Sequence, residues 1–125
     1  MKKDYKKWHD RKSKIHNDKK RPFFHEREIW FASLGENVGF EQDGSGENFL
    51  RPAVILLKFN NDVAWILPLT RTDKIGKYYF KISNQSVAIL SQIRLIDTKR
   101  LQYKIDTMSE NNFTKLKEAL IALLR

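Results

Sequence analysis

The sequence predicts a mostly β (α+β) fold, a small and strongly curved β-sheet or partial barrel that carries helices. Short runs of aliphatic, β-branched and aromatic residues recur along the chain, and turn residues separate them. The C-terminal run has the spacing of an amphipathic helix instead. With 125 residues, 41% of them apolar, the chain suits one domain with a modest core.

The first strands are predicted between residues 28 and 68. Glu28–Leu34 has the aromatic and β-branched content of a strand, and Ala53–Phe59 is apolar enough for a strand buried on both faces. Asn60–Asp62 favours a turn, because Asn and Asp tolerate left-handed backbone. Val63–Leu67 would complete a hairpin. Pro68 lacks a backbone N–H, so it should limit the ladder near its end, at a bulge or an edge.

The second half of the chain predicts shorter strands and one helix. After a polar loop over 70–77, extended segments are expected at 78–82, 86–90, 93–96 and 102–107. Ser109 is a natural helix N-cap, although Asn112 replaces the acid of a full capping box. The apolar face of the helix comprises Phe113, Leu116, Leu120, Ile121, Leu123 and Leu124.

Most of the excess charge lies at the N-terminus. The chain has a formal net charge of +9, and residues 1–22 contribute +7 of it with ten Lys or Arg and three Asp. We therefore divide the chain into a basic extension, residues 1–22, and a body, residues 23–125. Helical spacing in the extension joins Tyr5, Trp8, Lys12 and Ile15. Such a segment suits an anionic partner such as nucleic acid, and equally a solvated, solubilising tail.

Several classes of site find no support in the sequence. There is no cysteine, no His-Glu-x-x-His motif and no phosphate-binding or dinucleotide-binding glycine pattern, so neither metal nor cofactor is expected. His9, His16 and His25 all lie at or before the start of the body, where solvated residues are the simpler interpretation. No apolar run reaches membrane-spanning length, and we expect a soluble cytoplasmic protein with no membrane partner.

One constellation remains at the ends of the predicted hairpin. Arg51 opens the buried strand and Thr70 closes the next one, so antiparallel pairing should make them neighbours. Pro52 biases Arg51 toward extended backbone. A guanidinium and a hydroxyl at one sheet edge suit a phosphate group. An arginine that ties down the acidic loop before it is an equally weighted structural alternative.

These segments, in this order, resemble the MazF/PemK family of toxin endoribonucleases from bacterial toxin–antitoxin pairs. The resemblance spans roughly residues 27–124. Its carrying segments are Arg27–Leu34, Gly39–Gln42, Arg51–Ile55, Pro68–Thr70, Ser86–Arg94, Asp97–Leu101 and the helix from Ser109. It implies a small SH3-like β-barrel with a C-terminal helix, a homodimer, single-stranded RNA as substrate and a cognate antitoxin as protein partner.

The resemblance also implies a mechanism and site residues. The family's catalytic arginine and threonine fall on Arg51 and Thr70. The RNA's own 2′-hydroxyl would attack the adjacent phosphorus without metal or cofactor, leaving a 2′,3′-cyclic phosphate and a 5′-hydroxyl end. The residues implied in RNA binding are Gly39, Glu41, Gln42, Arg71, Ser91 and Gln92. For Gln92 a polar cap on a strand end is the structural alternative.

Two features depart from the family pattern. The loop between Gln42 and Arg51 is long, and Phe40 stands where a small residue is common.

A non-catalytic nucleic-acid- or protein-binding module on the same fold is the alternative function, since a fold does not determine a function. A gyrase-poisoning relative, CcdB, relies on an aromatic residue near the C-terminus, and this chain ends in Ile121–Arg125 without one.

Overall fold

The computed structural model describes residues 21–35 and 50–125. Every strand that the sequence predicts is present there, and so is the C-terminal helix. Their bounds are β1 (Glu28–Ser33), β2 (Leu50–Lys58), β3 (Val63–Thr70), β4 (Tyr79–Ser83), β5 (Ser86–Ile89), β6 (Arg94–Asp97), β7 (Leu101–Thr107) and α1 (Glu110–Leu123). Short 3-10 turns at Leu90–Gln92 and Thr98–Arg100 precede β6 and β7. The predicted helical part of the extension falls on residues 1–20, outside the described ranges.

The strands form one antiparallel sheet with the order β4-β5-β3-β2-β1-β7, and β6 pairs with β3. This arrangement confirms a mostly β fold with a C-terminal helix. The pairings among the described residues follow an open path, so the sheet is not closed into a full barrel. No described helix is long and apolar enough to cross a bilayer.

β3 changes its outer partner near Pro68. Its first half, Val63–Ile66, pairs with β6, and its last two residues, Leu69 and Thr70, pair with β5. The β2–β3 ladder ends at the pair Ala53–Pro68, as the missing N–H of proline predicts. The bulge lies elsewhere, between Ile55 and Leu57 of β2. Because β3 serves two partners in succession, the sheet bends strongly there.

Two apolar clusters fill the two sides of the sheet, as alternation along each strand requires. One side packs residues such as Phe24, Trp30, Ile55 and Ile66. The other side packs the helix against β2 and β3, through Phe113, Leu116, Val54, Leu67 and Leu69.

The helix begins as predicted and ends with less burial than predicted. The Ser109 side chain accepts a hydrogen bond from the backbone N–H of Asn112, at 3.1 Å. Leu120 and Leu123 are partly buried, but Ile121 is 50% exposed and Leu124 is 89% exposed. The predicted apolar face is therefore buried in its first part only, and Leu124 lies just past the end of the helix at Leu123.

A buried carboxylate marks the start of β1. Glu28 is 8% exposed, and its carboxylate accepts bonds from the backbone N–H of His25, at 2.8 Å, and from the indole N–H of Trp30, at 3.0 Å. Lys104 Nζ lies 3.2 Å from the same group. Burial by itself raises the pKa of Glu28, but these donors together hold that pKa below its ordinary value.

The residue before this carboxylate has a strained backbone. Arg27 has φ +76°, a left-handed conformation that costs a residue with a Cβ about 1–2 kcal/mol. Its N–H donates to the carbonyl of Ile55, and its carbonyl accepts from the N–H of Met108. Its guanidinium lies 2.9 Å from Glu110 Oε1, in the first turn of α1. Arg27 therefore joins β2, β7 and the helix at one point.

Candidate active site

The β2–β3 register brings the two ends of the hairpin together. The last pairs of this ladder are Val54–Leu67 and Ala53–Pro68. The ladder ends there, and the same register continued by two residues would bring Arg51 opposite Thr70. Directly opposed residues of an antiparallel pair project from the same face and lie close together. Arg51 is half-buried and pairs on its other side with Ala32 of β1.

Thr70 is the last residue of β3 and is 7% exposed. Its Oγ1 accepts a hydrogen bond from the backbone N–H of Thr72, at 3.2 Å. This bond fixes the position of the oxygen at the point where the chain leaves the sheet. A hydroxyl that already accepts one bond still has its own hydrogen to donate, so Thr70 can donate to an anionic oxygen beside it.

A cleft of about 370 Å³ opens beside Thr70. Its apolar wall consists of Ile29, Phe31, Pro52, Leu69, Ile82, Ile105 and Met108, and its polar lining includes Thr70, Arg71, Gln85, Asp106, Ser109 and Asn112. Arg51 is not among the lining residues, whereas the next residue, Pro52, is. Alternation along β2 places Arg51 on the opposite face from Pro52.

Two further arginines lie near the end of β1. Arg100 donates from Nη1 to the carbonyl oxygen of Ser33, at 3.0 Å, and Ser33 follows the residue that pairs with Arg51. Arg94 opens β6 opposite Ile66. Burial lowers the pKa of the Arg100 guanidinium, and so does the nearby charge of Arg94, while Asp97 raises it. We call Arg94 and Arg100 the arginine cluster; Arg51 lies on β2, paired with Ala32.

Sequence reasoning did not single out Arg94 and Arg100. Their proximity depends on the β3–β6 and β1–β7 pairings, which join residues far apart in the chain. A signal was present, since both residues fall in segments that carry the family resemblance. Like charges in proximity favour an anionic ligand, because a phosphate relieves their mutual repulsion.

The structure separates the other predicted RNA-binding residues. Arg71 is exposed on the lip of the cleft, beside Thr70. Ser91 is exposed and Gln92 is half-buried; both lie in the 3-10 turn before β6, outside the cleft lining. The remaining residues of this set lie outside the described ranges, and they are Gly39, Glu41 and Gln42.

Ionisable side chains elsewhere in the described ranges do not form a metal site. No group of three or more His, Cys, Asp or Glu residues comes together within residues 21–35 and 50–125. His25 Nδ1 lies 3.5 Å from the Glu28 carboxylate, so this histidine belongs to the network at the start of β1. The groups that the described site offers are guanidinium, hydroxyl and amide groups and the carboxylate of Asp106.

Three solved structures share this fold with the chain at low sequence identity. An endoribonuclease from a mycobacterial species, solved with its cognate antitoxin, matches with a TM-score of 0.65 at 12% identity, over 82% of this chain and 95% of that one. MazF from Deinococcus radiodurans matches with 0.65 at 18% identity, over 84% and 97%. The Mycobacterium tuberculosis toxin MazF-mt6 matches with 0.59 at 19% identity, over 78% and 96%.

The fold and the site define a small antiparallel β protein with an arginine-rich edge. The family model that describes PemK-like, MazF-like toxins of type II toxin–antitoxin systems matches residues 25–124. The chain belongs to this family. The matched range begins after the predicted basic extension and includes every strand and the helix.

Proposed function

We propose that this chain is the toxin of a type II toxin–antitoxin pair and a sequence-specific endoribonuclease of the mRNA-interferase type. Family membership supports the toxin assignment, and one protein with the same fold is an endoribonuclease solved with its cognate antitoxin. The observation that supports the catalytic proposal is the β2–β3 register, which would set Arg51 opposite Thr70 if it continued two residues past its last pair, Ala53–Pro68.

The proposed reaction is a transesterification within single-stranded RNA. The 2′-oxygen forms a bond to the adjacent phosphorus and loses its proton, while the bond from phosphorus to the 5′-oxygen breaks and that oxygen gains a proton. The products are a 2′,3′-cyclic phosphate and a 5′-hydroxyl end. The nucleophile belongs to the RNA, so no metal-activated water is required.

In this reaction Arg51 acts on the charge that develops at phosphorus. The transition state concentrates negative charge on the non-bridging oxygens, and a positioned guanidinium stabilises that charge more than it stabilises the ground state. The hydroxyl of Thr70 donates to one of these oxygens, since the N–H of Thr72 holds its oxygen in place. Arg94 and Arg100 add a positive field that draws the RNA backbone toward this edge.

The cleft beside Thr70 suits a nucleotide next to the scissile phosphate. Its volume of about 370 Å³ accommodates one unstacked base, which Phe31 and Ile105 can contact from the apolar wall. The amides of Gln85 and Asn112 lie in the polar lining, and amides recognise base edges in single-stranded RNA. The proposal also places the protein in the cytoplasm as a homodimer that an antitoxin inhibits.

One experiment separates an enzyme from an RNA-binding module. Purified protein in EDTA is incubated with a long single-stranded RNA pool, and sequencing of the fragments identifies the cleaved site. An oligonucleotide of that sequence is then compared with a chimera that carries deoxyribose at the cleaved position. We expect cutting of the first and none of the second, with cyclic phosphate ends. An intact RNA pool would refute the ribonuclease proposal.

Variants at Thr70 test its role as a hydroxyl donor. Thr70→Val preserves shape and removes one hydrogen bond to a charged group, so cleavage should slow roughly 10- to 100-fold. Thr70→Ser restores the hydroxyl and should recover most of the rate. Equal losses in the two variants, measured as single-turnover rates with saturating RNA, would show that Thr70 acts through packing alone.

A further inference from the structure

An uncovered apolar row crosses three strands on the helix side of the sheet. Leu57 of β2 pairs with Trp65 of β3, and Trp65 pairs with Leu95 of β6. Directly opposed residues share a face, so the three side chains stand side by side. Phe59 extends the row, because its ring packs edge-on against Trp65 with centroids 5.1 Å apart. These four residues, the apolar row, are 37–56% exposed.

The helix covers only part of this face. Leu56 and Leu67, the neighbours of Leu57 and Trp65 along their strands, are buried in the cluster beneath α1. The apolar row continues the same face beyond the helix. Single exposed apolar residues are ordinary on a protein surface, but a contiguous row with two aromatic rings indicates a docking surface.

The N-terminal segment leaves the body beside this row. Arg21, the first described residue, donates from Nη1 to the Asp97 carboxylate and to Thr98 Oγ1, the latter at 3.1 Å. Its Nε lies 3.1 Å from Asp62 Oδ1. Asp97 pairs with Val63 at the end of the β3–β6 ladder, two residues beyond the Leu95–Trp65 pair and on the same face.

The sequence before Arg21 has the composition to cover this row. Its 20 residues carry apolar side chains at Tyr5, Trp8 and Ile15, which the helical spacing aligns, together with nine Lys or Arg. A helix from Tyr5 to Ile15 would be about 15 Å long, and three strands span about 10 Å. The six residues from Ile15 to Arg21 reach at most about 20 Å.

We propose that residues 1–20 dock on the apolar row of their own chain through Tyr5, Trp8 and Ile15. The Lys12 stem lies along the same contact with its ammonium in water. The contact buries Trp65 and Leu95 and turns the basic residues outward, which adds a fixed positive surface to a body whose own net charge is only +2 over residues 23–125. The proposal does not depend on the ribonuclease activity.

Acrylamide quenching of Trp65 fluorescence in the full chain tests this docking. A Trp8→Phe background keeps the segment aromatic and leaves Trp65 and Trp30 as emitters, of which Trp30 is 6% exposed. Adding Tyr5→Ser and Ile15→Ser should shift the emission to the red and raise the quenching constant. The matched control, Lys6→Ser with Lys14→Ser, should leave both unchanged. The red shift and the rise in the quenching constant should both vanish when Trp65→Phe is added.

The outcomes distinguish the occupants of the apolar row. An unchanged quenching constant in the Tyr5→Ser, Ile15→Ser variant would overturn the proposal. A second result would also overturn the proposal. If Trp65 becomes more quenchable on dilution while sedimentation shows that a dimer dissociates, the apolar row is covered by a second copy of the chain. Protection that is independent of concentration and lost only in the Tyr5→Ser, Ile15→Ser variant supports docking within the chain. Thermal unfolding of each variant checks that the body stays folded.

Discussion

At the start of β1 a carboxylate is buried among donors, whereas at the end of the same strand guanidinium groups gather close to one another. Glu28 accepts from His25 and Trp30 and lies against Lys104. Five residues away, the carbonyl of Ser33 accepts a hydrogen bond from Arg100, whose neighbours include Arg94. The first arrangement lowers the pKa of an acid and so favours its charged form. The second lowers the pKa of Arg100 and so disfavours its charged form.

Under the proposed function, the difference distinguishes a charge that serves the fold from charges that serve a ligand. A buried carboxylate surrounded by donors stabilises the fold, because removing any partner leaves a buried polar group unsatisfied. Cations that raise each other's energy are stabilised when an anion binds between them. The start of β1 therefore serves stability, its end serves phosphate binding under the proposed function, and four substitutions test that division.

The largest effect is expected from Arg51→Ala. Loss of one positioned donor to the transition state should lower the single-turnover cleavage rate about 100- to 1000-fold while thermal unfolding stays near that of wild type. Arg125→Ala, at the exposed C-terminus, removes the same charge and should keep full activity. An Arg51→Ala protein that loses stability and keeps its rate would make Arg51 a structural residue.

Glu28→Gln should lower the free energy of unfolding by about 1–3 kcal/mol at pH 7, because the donors around this buried position lose their charged acceptor. The folded pKa of Glu28 lies below its unfolded value, so this stabilisation is present above the unfolded pKa and is lost as pH falls through the folded pKa. Urea unfolding at neutral and acidic pH should therefore show the variant and wild type converging in acid. The exposed Glu118→Gln is the control, and a constant gap at all pH values would contradict the mechanism.

Arg94→Gln should weaken RNA binding with a smaller effect on the chemical step. Loss of one phosphate contact should reduce the slope of log affinity against log salt concentration by about 1. The measurement is a salt titration of RNA affinity in the Thr70→Val background, in which cleavage is slow. Lys115→Gln, on the exposed face of the helix, removes a charge without touching the cluster. Equal slopes for Arg94→Gln and wild type would remove Arg94 from the binding site.

The smallest effect is expected from Arg27→Gly. Glycine adopts φ +76° without strain, but it loses the exposed ion pair with Glu110 and raises the entropy of the unfolded chain. These contributions nearly cancel, so stability should change by less than about 1 kcal/mol, in the stabilising direction. Arg27→Ala keeps the strain, loses the ion pair and should be less stable than Arg27→Gly. The reverse order in urea unfolding would show that the backbone at Arg27 is unstrained.

Local features of the fold were predictable because neighbours in the chain determine them. The turn at Asn60–Asp62 forms as expected, with the Asn60 side chain accepting from the N–H groups of Asp62 and Val63. Ser109 caps the helix, and Pro68 ends the β2–β3 ladder. The expected adjacency of Arg51 and Thr70 stays a prediction, because the β2–β3 ladder ends at Ala53–Pro68.

The cluster around Arg100, the cleft beside Thr70 and the apolar row all depend on pairings between distant segments. Each requires β6 to lie on β3, β7 to lie on β1 or the helix to cover one part of a face and leave another open. Hydrophobic alternation specifies which residues of a strand turn inward, but it does not specify which strand lies alongside. The sequence alone therefore determined the strands, the hairpin and the helix cap. Only the tertiary structure decided which charges meet at the two ends of β1, because long-range pairing brings them together.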